Sequence, residues 1–207
     1  MFALVDKSDN SITKLLSGNQ GITIGDNQYP KAIFTIWTES ERNAINIYTV
    51  EIDNSKFKDQ QWYINTDITY SFDGTNATGS YGDATAKAHA DTKWTQSEID
   101  DGKAPEGADT NTVKEEGLKT ILIRNVKSQA EDELNRTDWY ITRKAEKDTA
   151  IPSAITTHRN AVRSKQDSME TAITNASDTP ALETLHAYTK QEDGTYTRPL
   201  GEIPTLE

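Results

Sequence analysis

The sequence predicts an α+β protein: a small β-rich N-terminal domain over residues 1–90, an acidic linker over 91–112, a helical hairpin or bundle over 113–188 and an extended tail over 189–207. Three observations carry that reading. Apolar residues alternate with polar ones in the first 90 residues, the period of a half-buried strand. From Asp91 to Glu116 periodicity vanishes, and eight acids face three lysines. Beyond Leu118 the apolar residues recur at steps of three and four, the spacing of one helix face.

Taken in order, "MFALVD" and "ITKLL" are short β-prone runs separated by "KSDNS", which predicts a hairpin. "GITIGDNQYPKAIFTIW" continues in strands, punctuated by Gly21, Gly25 and Pro30. Thr38 followed three residues later by Glu41 has capping-box spacing and predicts a short helix over 39–45. "INIYTVEI" returns to strand, and "QWYINTDITYSF" reads as a half-buried strand pair. "DGTNATGS" reads as a turn cluster and "YGDATAKA" as a final edge strand. "DDGKAPEGADTNT" holds loop formers and no period, so it reads as solvated connector.

Leu118, Ile121, Leu122, Val126, Ala130 and Leu134 make one helical stripe. Pro152 marks a second helix start, with Ile155, Val162, Met169 and Ala176 seven apart as a bundle seam requires, and Lys165 interrupting the intermediate row. "SDTPALETLHAY" predicts a third, short helix, and "QEDGTYTRPLGEIPTLE" a turn and an extended tail. Between the first two helices lies "LNRTDWYITRKAE". Thr137 and Asp138 are good N-cap residues, so the chain is expected to leave one helix at Asn135–Arg136 and restart after Thr137 or Asp138. Trp139 would then plug the corner, and its truncation to Ala would cost about 3–5 kcal/mol.

The bulk numbers exclude several function classes. A net charge of −11 argues against nucleic acid and against an anionic membrane surface. The absence of cysteine excludes disulfides, thiol nucleophiles and Cys-based zinc sites. No apolar run is long enough to span a membrane, and the N-terminus lacks the basic region of a signal peptide. A hydrophobic fraction of 34% lies below the usual range of about 45–50%, so the chain is expected to complete its packing in extended form or against partners.

No catalytic constellation stands out. His89, His158 and His186 lack metal-ligand spacing, so no metal site and no cofactor are expected; His158 reads as a packing or surface residue and His186 as a cation at a helix end. Glu115 and Glu116 diverge on a helix, Asp100 and Asp101 fall in the connector, and no GxSxG, GxGxxG or Walker A motif occurs. From Arg136 to Lys165 seven bases outnumber three acids; this is either a face that docks an acidic partner or acidic linker, or a solvated helix surface. The chain reads as a non-enzyme.

"GLKTILIRNVKSQAEDELNRTDWYITRKAEKDTAIPSAITTHRNAVRSKQDSMETAITNASDTPALETL" resembles a C-terminal module of bacteriophage tail proteins. The resemblance rests on Leu134, Thr137–Trp139, Arg143–Glu146, Ile151–Pro152 and Arg159–Arg163, and on "YPKAIFTIWTESERNAINIYTV" upstream. It covers roughly half the chain and omits the connector and everything after Tyr188. It implies a virion structural protein of the tail, tail-fibre or baseplate-associated, present in host cytoplasm during assembly and acting by contacts with other tail proteins or with copies of itself. Trp139, Arg143, Arg159 and Arg163 are its candidate partner-binding residues. The alternatives it leaves are a tail-fibre assembly chaperone absent from the finished virion and a glycan-degrading tail enzyme.

Overall fold

The computed structural model describes residues 1–206. It shows the predicted α+β class, with strands concentrated early and the long helices late. The chain divides into two compact units, Met1–Thr85 and Ala86–Glu207.

The first unit contains β1 (Phe2–Asp6), β2 (Ser11–Leu16), β3 (Ile22–Ile24), β4 (Asn27–Tyr29), α1 (Ile33–Ile36), α2 (Glu39–Ala44), β5 (Ile47–Asp53), β6 (Tyr63–Ile64), β7 (Ile68–Phe72) and β8 (Ala77–Tyr81). Five of these form one sheet in the order β2-β1-β5-β8-β7, parallel only between β5 and β8. Its edge strands β2 and β7 approach one another, so the sheet nearly closes. The β1–β2 hairpin turns where the carboxylates of Asp6 and Asp9 each accept a backbone N–H two residues on, from Ser8 and Ser11, at 2.9 Å. The predicted capping box is present: Glu41 N–H donates to Thr38 Oγ1 at 3.3 Å and Thr38 N–H to Glu41 Oε2 at 2.8 Å.

The period of two in β1 buries both faces. Ala3 and Val5 join Tyr48, Val50, Phe72 and Ala77 inside the curled sheet. Phe2 and Leu4 face the other way, toward Ile33 and Phe34 of α1 and Ile47 of β5. Two strand expectations are corrected. The run "GITIGDNQYPKAIFTIW" is strand only in β3 and β4, and Ile33–Ile36 is helical. The segment read as a turn cluster, "DGTNATGS", turns only at Asp73–Asn76; Ala77–Tyr81 is then a central strand, and β7 is the edge. Small residues concealed it, for a physical reason. A Cβ on Gly79 would lie 2.8–3.0 Å from side-chain atoms of Ile52, Tyr70 and Ile68, so the strand is glycine where large neighbours lie across it.

The second unit contains β9 (Thr85–Ala86, at its boundary), β10 (Thr92–Lys93), α3 (Gln96–Asp100), β11 (Val113–Glu115), α4 (Leu118–Asn135), α5 (Asp138–Lys147), α6 (Ser153–Asn175), α7 (Thr179–His186), β12 (Thr189–Lys190) and β13 (Tyr196–Thr197). The acidic stretch carries local structure that its lack of periodicity did not reveal. β10 pairs with β11, and a Thr95–Glu98 capping box opens α3. The Lys114 ammonium and the Thr95 donors hold the Glu98 carboxyl down at about 2.

Asp91 is a long-range cap for α4. Its Oδ1 accepts from Gly117 N–H and from Thr120 Oγ1, both at 2.7 Å. A Cβ on Gly117 would fall 2.3 Å from the Ala90 carbonyl carbon, so this close approach requires glycine.

Helices α4 and α6 pack antiparallel, with Lys119 donating to the Thr174 carbonyl at one end and Arg159 to the Leu134 carbonyl at the other, each at 2.8 Å. Leu122, Val126 and Ala130 from α4 and Val162, Met169 and Ile173 from α6 are buried along the pair. α7 begins as expected, with Asp178 accepting from Ala181 N–H at 2.8 Å and Pro180 in its first turn. The tail is not merely extended. It forms the β12–β13 hairpin, buries Leu200, and runs back to α4.

Candidate interaction site at the helical corner

The corner between α4 and α5 is built from polar groups. Thr137 is fully buried; its hydroxyl donates to the Leu134 carbonyl at 3.0 Å and accepts from Arg159 Nη1 at 2.7 Å. Arg159, 7% exposed, donates from the same nitrogen to Leu134 O at 2.8 Å and lies 2.8 Å from Asp138 Oδ1. One guanidinium from α6 thus satisfies the end of α4, the linking threonine and the first residue of α5 together. The helix break falls where the sequence placed it, but the buried plug is Thr137.

Trp139 is not the plug: it is 51% exposed. Because α5 begins at Asp138, the inward place in the corner is already occupied by Thr137, and the indole lies outside it. It stacks on Tyr140, with ring centroids 3.7 Å apart, and the Arg143 guanidinium lies 4.7 Å from the Trp139 centroid and 5.1 Å from that of Tyr140. The Arg143 Nε is enclosed with no acceptor among the described residues. No residue of α5 is buried, and Ile141 is 43% exposed. Helix α5 therefore stands largely free, joined at its first turn and stopped by Asp148 in the left-handed conformation.

The four candidate contact residues thus separate. Trp139 and Arg143 form one exposed aromatic–cation cluster. Arg159 is committed to the corner, and Arg163 is exposed one turn farther along α6. Much of the basic excess between Arg136 and Lys165 is used internally: Arg136 pairs with Glu133, Lys144 with Asp148, and Lys165 donates to Leu200 O.

Beside the corner lies a cluster that sequence reasoning missed. Glu133, 8% exposed at its side chain, accepts from Arg136 Nη1 at 2.8 Å and from the Leu206 N–H at 2.8 Å, and lies 2.9 Å from His158 Nε2. His158 is thus a packed partner of Glu133, as its place beside the α6 seam suggested. Only the position of Glu133 next to Leu134 on the apolar stripe hinted at its burial. Burial, the largest influence, raises the Glu133 carboxyl pKa, but Arg136, the Leu206 amide and His158 outweigh it and hold the value below the ordinary 4.5. Since the folded value is depressed, these contacts add stability above pH 4.5 and lose it as acid protonates Glu133 below that value. We expect the Leu206 amide to lose hydrogen-exchange protection below pH 4.5, and Glu133→Gln to remove this pH dependence. Protection that is flat in pH in the native chain counts against the tail clasp.

His186 lies in the last turn of α7, the helix end where the sequence placed it. Burial, aided by Arg198, holds it below its usual pKa, and its Nδ1 lies 2.8 Å from the Leu182 carbonyl. Among the described residues no cluster of His, Asp or Glu could hold a metal ion, and no helix is long and apolar enough to cross a membrane.

Comparison with protein-family models, with curated proteins and with solved structures gives no match to the chain.

Proposed function

We propose that this protein is a non-enzymatic structural component of a bacteriophage tail, fibre- or baseplate-associated, that docks other tail proteins through α5. The observation that carries the reading is a ten-residue helix with no buried residue, presenting Trp139 and Ile141 from a corner rigidly pinned by Arg159. Exposed tryptophan beside arginine is the composition of interface hot spots, and a rigid base lowers the entropy lost on docking. The sequence resemblance, which centres on this same corner, supplies the class of partner.

The test is quantitative mass spectrometry of gradient-purified virions beside crude lysate. A fixed ratio to the other tail proteins supports a structural role. Abundance in lysate with absence from particles replaces it with transient chaperoning. The accompanying variant is Trp139→Ala. An exposed position away from buried contacts should shift stability by less than about 0.5 kcal/mol, while incorporation into particles falls sharply. Normal incorporation of the variant would exclude α5 as the contact.

A further inference from the structure

The inner face of β7 and β8 stays apolar beyond the point where the core of the first unit ends. Phe72 opposite Ala77 lies in the core and Tyr70, opposite Gly79, packs against it, while the pair Ile68–Tyr81 carries the same face on past it. There the sheet wall meets the loop between β5 and β6 and leaves a groove of about 430 Å³. Phe57 from that loop is 42% exposed, and its ring centroid lies 5.0 Å from that of Tyr81. The lip also holds the Tyr70 and Tyr81 hydroxyls and the Asp67 carboxylate, which make no hydrogen bond among the described residues.

The groove is held in shape before any ligand arrives. Asn65 clamps the loop, its Oδ1 accepting from Lys58 N–H at 2.9 Å and its Nδ2 donating to Lys58 O at 2.7 Å. Thr66 Oγ1 accepts from Gly82 N–H at 2.7 Å, tying the β6–β7 connection to the turn after β8. Trp62 and Tyr63, at the end of the same loop and the start of β6, are buried. Gly79 is what lets Tyr70 and Ile68 lie across the strand, since any side chain there would displace both.

We propose that this groove binds a neutral saccharide. Exposed aromatic faces suit the C–H faces of a sugar ring, while free hydroxyls and a carboxylate at the lip suit its hydroxyl groups. The mouth of a curled sheet is a common place for such a site. A polyanion would be opposed by Asp67 and by the chain's charge of −11. A wholly apolar ligand would leave the lip's polar groups without water or partner. Asp67 is the only carboxylate lining the groove among the described residues, so the paired acids of glycoside hydrolysis are missing and the site binds without cleaving.

The experiment is isothermal titration of the full chain with soluble starch, laminarin, yeast mannan, galactan and the N-acetylglucosamine hexamer, with dextran sulfate as the polyanionic control. The matching free monosaccharides distinguish a glycan chain from a single sugar. We expect at least one neutral glycan to bind, and both Phe57→Ala and Asp67→Asn to weaken it about tenfold with an unchanged thermal midpoint. No binding by any neutral glycan overturns the proposal. So does preference for dextran sulfate, or neutral-glycan binding that neither variant alters.

Discussion

Replacing Arg159 with methionine should destabilise the helical unit by about 3 kcal/mol, the scale of charge-assisted hydrogen bonds lost from a buried position. Methionine retains the apolar stem, so the loss isolates the guanidinium. Three oxygens depend on that group: the Leu134 carbonyl, the Thr137 hydroxyl and the Asp138 carboxylate. Two lie in the part of the corner closed to water, and the exposed half of Asp138 limits its share. The result should be read as the urea midpoint of the helical circular dichroism signal. Because α5 is joined at this corner, its amides should also lose exchange protection before those of α4 do. A variant as stable as the native chain would mean that the Arg159 contacts contribute nothing net.

Ile173→Ala should cost about 2–5 kcal/mol, the range for truncating a buried aliphatic side chain. Ile173 is fully buried, four residues after Met169 at 1% exposure, on the α6 face that meets α4. The cavity can close only by moving a helix whose ends are tied by Lys119 to Thr174 and by Arg159 to Leu134. That restraint places the expected cost in the upper half of the range. Thermal unfolding followed at 222 nm checks it, and a loss below about 1 kcal/mol would mean that α4 and α6 repack freely.

These two expectations differ in how visible their residues were. Ile173 lay beside a seven-residue apolar repeat, and α4 announced itself by steps of three and four from Leu118 to Leu134. Arg159 read as a base of a positive stretch and a candidate partner contact, because a charge sequence does not reveal which base faces three oxygens at a helix corner. The same limit explains Trp139. An aromatic after a cap residue predicts a buried plug, yet the smaller Thr137, with two hydrogen bonds, fills that place. In the β unit, Ala77–Tyr81 looked like turn because Thr, Gly and Ser are turn residues. Its strand exists through pairing with β5 and β7, partners far from it in sequence.

By itself the sequence determined what depends on near neighbours along the chain. It set the α+β class, the Thr38–Glu41 box, the break at Thr137, the start of α7 and the apolar faces of α4 and α6, because periodicity and capping act within a few residues. Tertiary structure alone decided which groups meet: Asp91 capping α4, Glu133 gripping the tail, Arg159 pinning the corner, and Phe57 beside Tyr81 at the open end of the sheet. Each of those contacts joins residues about twenty or more positions apart. Their free energy depends on distance and desolvation, quantities that exist only once the chain is folded.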